Sequence, residues 1–284
     1  MRVYYAGGAH YEFLAGKPIL ESFWYKRNAL RGMQLTDDFF LDSGAFSAFT
    51  QDKVIQVEDY AAFLDEVKDD VTVASSLDVI GDADASFTTY MRLRDMGAEV
   101  IPVFHIGDDF KYLVEYLRMG CPYIALGGMV GKASTVLQVW LDKVWSEYLT
   151  DDTGLPTTKA HGFGLTVGRL LERYPWYTAD STTWLNGTRF GTALFNFPGR
   201  RLVHIPISER NPAYKQGTSN HILNLPPLEF AIAEEELSEA GTTLAKIQTD
   251  NTELLRFNAR TFERWSIEYG PAQRFKQVER GLFG

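Results

Sequence analysis

From the N-terminus to residue 208, short apolar runs alternate with longer segments in which apolar positions recur every three or four residues. The runs VYYAGG (3–8), FFLDSG (39–44), VTVASSLDV (71–79), EVIPVFHIG (99–107), YIALGGMV (123–130), KAHGFGLT (159–166), YTADST (177–182) and RLVHIPIS (201–208) read as strands. Between them VEDYAAFLDEV (57–67), SFTTYMRLRDMG (86–97), DDFKYLVEYLRMG (108–120) and ASTVLQVWLDKVWSEYL (133–149) have the spacing of amphipathic helices. Near-continuous apolar strands alternating with helices predict an α/β fold with a parallel sheet. Eight such units predict a (β/α)8 TIM barrel. A doubly wound open sheet is the alternative, because 183–199 carries only a weak helix signal after an irregular loop.

Past residue 220 the pattern becomes helical throughout. LPPLEFAIAEEELSEAG (225–241) opens with prolines suited to a first turn and stops at Gly241. TTLAKIQTDNTELLRFNARTFERWSIEYG (242–270) reads as one further helix. On it Arg256, Arg260 and Arg264 share a face, with Glu253 and Glu263 beside them, which favours a solvated ion-pair face over a phosphate-binding stripe. The expected division is a catalytic barrel over 1–220 and a C-terminal helical extension over 221–284, packed on the barrel.

Composition narrows the chemistry. The single cysteine, Cys121, cannot build a disulfide framework or a thiolate zinc cluster. The five histidines, His10, His105, His161, His204 and His221, show neither HxH nor HExxH spacing, which disfavours a metal hydrolase. No apolar run reaches the ~18 residues of a membrane span, so a soluble intracellular protein is expected. A net charge of −9 argues against nucleic acid until its distribution is considered. Residues 158–215 hold eight Lys or Arg against three acids, a local +5 that leaves −14 for the remainder. A phosphate backbone responds to such a concentration.

In a parallel barrel the functional groups gather where the strands end and the βα loops converge. Reading each strand at that end selects Asp42 and Ser43, Asp78, His105, Gly127 to Met129, His161 to Gly164, and Asp180. Buried acids are costly unless paired or used. Two carboxylates across a pocket suit chemistry at an anomeric carbon, one attacking C1′ while the other handles the proton of the departing or arriving group. LGGMVGK (126–132) leaves backbone amides uncovered, as a planar ligand with carbonyl and amide edges requires. Each choice has a plainer counterpart. Asp180 suits a helix N-cap, Asp42 an Asx turn before Gly44, and His105 a satisfied interior histidine. His161 reads as structural and Trp176 as packing, whereas Trp184 is a candidate for stacking on an extruded base.

These segments resemble a known family. LDSGAFS (41–47) resembles the DSGGFQ segment of the tRNA-guanine transglycosylases, and LGGMVGK resembles their GGLAVGE loop. PVFHIG (102–107) stands where they have VQG, and HGFGLT (161–166) resembles the HLMGVG strand before their nucleophile. The likeness keeps its order along the chain and covers roughly residues 37 to 200. It implies a barrel enzyme that exchanges guanine for a 7-deazaguanine through a covalent glycosyl-aspartate. Asp180 would be the nucleophile and Asp42 the acid/base. Ser43, Asp78, His105, Gly127, Gly128, Met129 and Trp184 would surround the base, and Lys132, Arg169, Arg189, Arg200 and Arg201 would hold nucleic acid.

The departures point to one branch. The family's structural zinc, held by three cysteines and a histidine, has no counterpart here; His105 replaces a glutamine, and the chain is shorter at its C-terminus. In these respects, and in DSTTW (180–184), the chain is similar to the compact phage-associated DNA branch (DpdA-type), which inserts 7-cyano-7-deazaguanine or a relative into DNA. The resemblance therefore implies DNA and a free deazapurine base as partners, no cofactor or metal, no membrane, and the cytoplasm, that of the host cell if a phage encodes it. A transglycosylase acting on tRNA and a non-catalytic nucleic-acid-binding barrel subunit are the alternatives. The inserted 7-substituent, oligomeric state and accessory proteins are left open.

Overall fold

Near-continuous apolar segments become the strands of one parallel sheet. The computed structural model describes all residues except 166, 186, 188–190, 216–219, 269 and 276–284. Its strands are β1 (Arg2–Ala6), β2 (Ile19–Ser22), β3 (Phe39–Asp42), β4 (Val73–Ala74), β5 (Val103–His105), β6 (Tyr123–Gly127), β7 (Lys159–Gly162) and β8 (Thr178–Ser181). They form a curled eight-stranded sheet in the order β4-β3-β2-β1-β8-β7-β6-β5. The first strand therefore pairs with both the second and the eighth, in parallel. At the two ends of that order, Ser75 beyond β4 and Ile101 before β5 form one parallel bridge. There the Ile101 N–H donates to the Ala74 carbonyl and the Ser76 N–H to that of Ile101, each at 2.8 Å.

The crossovers are helical where the periodicity predicts it. They include α1 (Lys26–Met33), α2 (Ala45–Thr50), α3 (Val57–Val67), α4 (Ala83–Asp95), α5 (Phe110–Arg118), α6 (Ser134–Val144) and α7 (Gly168–Arg173). α3 buries Tyr60, Ala61, Phe63, Leu64 and Val67, one stripe at helical spacing. Asp82 and Asp109 cap α4 and α5, accepting from the amides of Ala85 and Lys111 at 2.9 Å.

Alternation along the strands sends one set of side chains into the concave face. Tyr4, Ala6, Leu20 and Phe40 form a buried cluster there, with Val73, Ile101 and Phe163 against it. The register sets Leu20 beside Phe40 and Phe40 beside Val73. Complete burial of an aromatic such as Phe40 stabilises by roughly 2–3 kcal/mol, enough to hold that register.

Four expectations are corrected. ILES, only four residues between Pro18 and the aromatic run FWY, is a strand of the sheet, and RLVHIPIS is not. RLVHIPIS contributes instead to β10 (Arg200–Pro206), antiparallel to β9 (Thr192–Phe197), which lies in the stretch of weak helix signal. The chain accordingly divides at Thr182, not at 220: one unit is Met1–Ser181 with the described residues from Pro271, the other Thr182–Gly270. The second unit has its own core, in which Phe195, Phe197 and Ile205 of the hairpin join Leu254 and Phe257. Finally, the single helix expected over 242–270 is two, Leu244–Thr249 and Asn251–Glu268. Asp250 leaves the helical region and its Oδ1 accepts from the amides of Thr252 and Glu253 at 2.8 and 3.1 Å, starting a new helix. The helix over 225–241 is found as Pro227–Glu239, with proline in its first turn. Among the described residues no helix is long and apolar enough to cross a membrane.

Candidate active site

Strand pleating decides which residues share the concave face with Phe40. Asp42 lies two residues beyond it on β3, Ser22 pairs with Asp42, and Asp180 pairs with Tyr4. On the other side of the sheet His105 pairs with Gly127, and His161 with Thr178. A polar layer thus succeeds the apolar one at the carboxyl ends of the strands.

Asp180 is 6% exposed and anchored through one oxygen. Its Oδ1 accepts the Gly164 N–H at 2.8 Å and lies 3.2 Å from Nε2 of His161. Gly164 has φ +58°, and a Cβ there would stand 2.7 Å from Val130 Cγ2, so glycine is what lets this amide reach the carboxylate. His161 is wholly buried, and its Nδ1 is 2.7 Å from Thr178 Oγ1, which also meets the Tyr123 hydroxyl. Burial raises the Tyr123 phenol and keeps it a donor. One proton assignment satisfies the whole chain: Tyr123 donates to Thr178, Thr178 to Nδ1, and Nε2–H to Asp180. Asp180 Oδ2 has no hydrogen-bond partner among the described residues.

Asp42 is partly buried, and its Oδ2 accepts the Gly44 N–H at 3.1 Å. Burial first, then the charges of Asp78 and Asp180, push its carboxyl up to about 7. Asp42 can therefore hold or release a proton near neutrality, and the three acids act on one another. Gly44 has φ +82°, and a Cβ there would lie 2.6 Å from Ser22 Oγ.

Asp78 is held at both oxygens. Ser43 Oγ donates to Oδ1 at 3.2 Å, and His105 Nε2 lies 3.0 Å from Oδ2. The Ser43 amide donates to Ser75 Oγ at 3.0 Å, and the Tyr60 hydroxyl to the Ser75 carbonyl at 2.7 Å. Asp108 receives the His105 amide at 2.9 Å and stands 3.7 Å from Nδ1. Desolvation opposes the charged His105 ring, but hydrogen bonds and charge from Asp108 and Asp78 outweigh it and raise its pKa to about 9. Both ring nitrogens face acids, so His105 orients Asp78 instead of presenting an open edge to a base. Gly127 makes room for this, since a Cβ there would lie 2.7 and 2.9 Å from the imidazole.

The other candidates are more dispersed. Gly128 takes φ +73°, the Met129 side chain is buried, and its carbonyl accepts from the exposed Lys132 at 3.2 Å. Trp184 is wholly buried within the second unit, where its carbonyl accepts from Asn258 at 3.2 Å; it offers no ring face for stacking. Trp176, 2% exposed, is packing as expected. Arg169 donates to Ser134, and Arg201 is exposed. Arg200 is paired with Glu229 at 2.7 Å, which weakens its claim on phosphate. Arg189 lies outside the described residues. Two arginines of the stripe are in ion pairs, Arg256 with Glu253 and Arg264 with Glu268 and Glu239.

Sequence reading assigned no function to His161, Thr178 or Tyr123. The signal that could have found them is register, because His161 and Thr178 are lateral partners and Asp180 follows Thr178 on the same face. Among the described residues no group of three or more His, Cys, Asp or Glu is placed to hold a metal ion. No protein-family model matches the chain, and no curated protein matches it.

Proposed function

We propose that the sheet closes through the Ser75–Ile101 bridge as a (β/α)8 barrel, and that its carboxyl end exchanges guanine in DNA for a 7-deazaguanine such as 7-cyano-7-deazaguanine. The observation that carries this reading is the asymmetric anchoring of Asp180. Two donors fix Oδ1, and Oδ2 is left to a substrate. At 6% exposure Asp180 is also withdrawn from bulk water, so its second oxygen is committed neither to a protein donor among the described residues nor to open solvent.

The target guanosine must leave the base stack, since a duplex conceals C1′. Asp180 Oδ2 attacks C1′ as the C1′–N9 bond breaks, and protonated Asp42 supplies the proton that departing guanine takes up. The incoming deazaguanine yields its N9 proton to Asp42, N9 bonds to C1′, and the aspartyl ester breaks. Protons and bonds balance over the cycle, with no redox step. Asp78, steadied by Ser43 and His105, faces the edge of the base. The positive balance of residues 158–215 supports a nucleic-acid substrate.

Wild-type protein incubated with guanosine-containing DNA and no incoming base should leave a covalent adduct on a denaturing gel, and Asp180→Ala should leave none. Base exchange by Asp180→Ala at the wild-type rate refutes the assignment. Labelled base offered with DNA or tRNA identifies the acceptor, with incorporation expected in DNA.

A further inference from the structure

Beside Asp42 the chain builds a second feature that the exchange chemistry does not use. β2 ends at Ser22, whose Oγ accepts the Trp24 amide at 3.1 Å and turns the chain sharply. Phe23 goes inward, its ring 5.0 and 5.2 Å from those of Tyr60 and Phe63, whereas Trp24 is half-buried and Tyr25 exposed. They line a groove of about 600 Å³ with Lys26, Arg27, Val54 and Ile55. Its surroundings are unusually apolar for exposed surface. Val54 is 81% exposed and Tyr25 49%, and Phe46 and Phe49 of neighbouring α2 are each 60% exposed.

Two observations define what fits. The groove adjoins the acid site, because its Trp24 packs on Gly44, two residues past Asp42: a Cβ at Gly44 would meet Trp24 Cβ at 2.8 Å and the hydroxyl of Ser22, which pairs with Asp42. Its charge is positive within an acidic chain. Lys26 and Arg27 face a single lining acid, Asp59. Lys26 lies over the Phe23 ring at 4.5 Å, whereas Arg27 is exposed and has no acidic partner among the described residues. Aromatic faces beside an uncommitted guanidinium take up a flat ring carrying an anion.

We propose that this groove is a subsite for the nucleotide adjacent to the exchanged one, its base against Trp24 and Tyr25 and its phosphate at Arg27. The ligand's identity rests on the exchange reading; the recognition of a base with its phosphate rests on the groove itself. Holding the neighbour here keeps the extruded guanosine within reach of Asp42.

The test uses the full chain and a fluorescein-labelled single-stranded DNA heptamer with one central guanosine between thymidines, read by anisotropy across a salt series. Trp24→Ala should weaken binding about tenfold without changing the salt slope. Arg27→Ala should weaken it and lower that slope by about one. Trp24→Phe should retain most of the affinity, which separates stacking from misfolding. Wild-type affinity and slope in both alanine variants overturn the proposal, as does a monomeric Trp24→Ala set against a dimeric wild type in sedimentation, since the groove would then seat a second copy. If wild type exchanges no base but binding still depends on Trp24 and Arg27, the subsite stands and the exchange reading falls. If exchange proceeds with an unchanged KM for DNA in both variants, the reverse holds.

Discussion

Replacing Asp42 by Asn should stabilise the fold while removing activity, and the pH dependence of that stabilisation tests the account of the acid cluster. The Asp42 carboxyl moves from 3.8 to about 7 on folding, chiefly through burial and then through Asp78 and Asp180. Between those values the native chain binds a proton that the unfolded chain has released, so this group makes stability fall as pH rises through the window. At ~1.4 kcal/mol per pH unit the ionised side chain costs about 4 kcal/mol by pH 7 and no more above it. Asp42 retains some contact with solvent, which screens the cost, and about 2 kcal/mol is the expected gain. Asparagine has the same shape and can still accept the Gly44 amide through its carbonyl. Urea denaturation of both proteins at several pH values should therefore show no difference near pH 4, a rising advantage for the variant between pH 4 and 7, and a plateau beyond. The variant should form no exchange product at any pH, since an amide cannot carry the proton. Destabilisation at pH 8, or a gain independent of pH, would refute the reasoning.

Other expectations follow from the same geometry. His161→Ala should lower kcat about 100-fold with KM for DNA little changed, because it removes one of the two groups that hold Asp180 Oδ1 and leaves only the Gly164 amide; a raised KM at wild-type kcat would place His161 in binding instead. Thr178→Val removes the donor to Nδ1 and the acceptor of the Tyr123 hydroxyl but leaves His161 beside Asp180, and should lower kcat by less. The His105 ring should remain protonated through pH 8 in a proton NMR titration; its contribution to stability is complete below pH 6.5 and lost as pH rises through about 9. Titration near 6.5 would show that Asp78 and Asp108 do not hold it. Gly127→Ala should cost roughly 1–3 kcal/mol in urea denaturation, because its methyl group meets the His105 ring.

The parts of this structure legible in sequence are those set by local pattern. Alternating apolar runs and amphipathic helices gave seven of the eight strands of the sheet, and the stripe of Val57–Val67 gave its helix residue for residue. Ile19–Ser22 escaped because four residues between a proline and three aromatics carry no period. Arg200–Pro206 took its place in the count because a hairpin strand has the same apolar content; its partner, Thr192–Phe197, is what distinguishes it, and pairing is not written in either segment alone.

The same limit governs the site. Asp42 and Asp180 are selected by one rule, that a parallel strand carries its last residues to the end where the βα loops gather, and this rule needs no knowledge of neighbours. What a side chain touches depends on neighbours distant in sequence. Arg200 reads as free cationic surface until Glu229, 29 residues away, closes on it. Trp184 reads as a stacking ring until the second unit encloses it. His161 reads as structural because Gly162 and Phe163 beside it say nothing of Thr178, its partner across the strands. That partnership bears on the Asp180 contact. With Thr178 donating to Nδ1, a neutral ring carries its N–H on Nε2, toward Asp180. A buried hydroxyl on one strand thus favours one tautomer on the next, and that tautomer joins the Gly164 amide in holding Oδ1 of Asp180 while Oδ2 keeps its lone pairs.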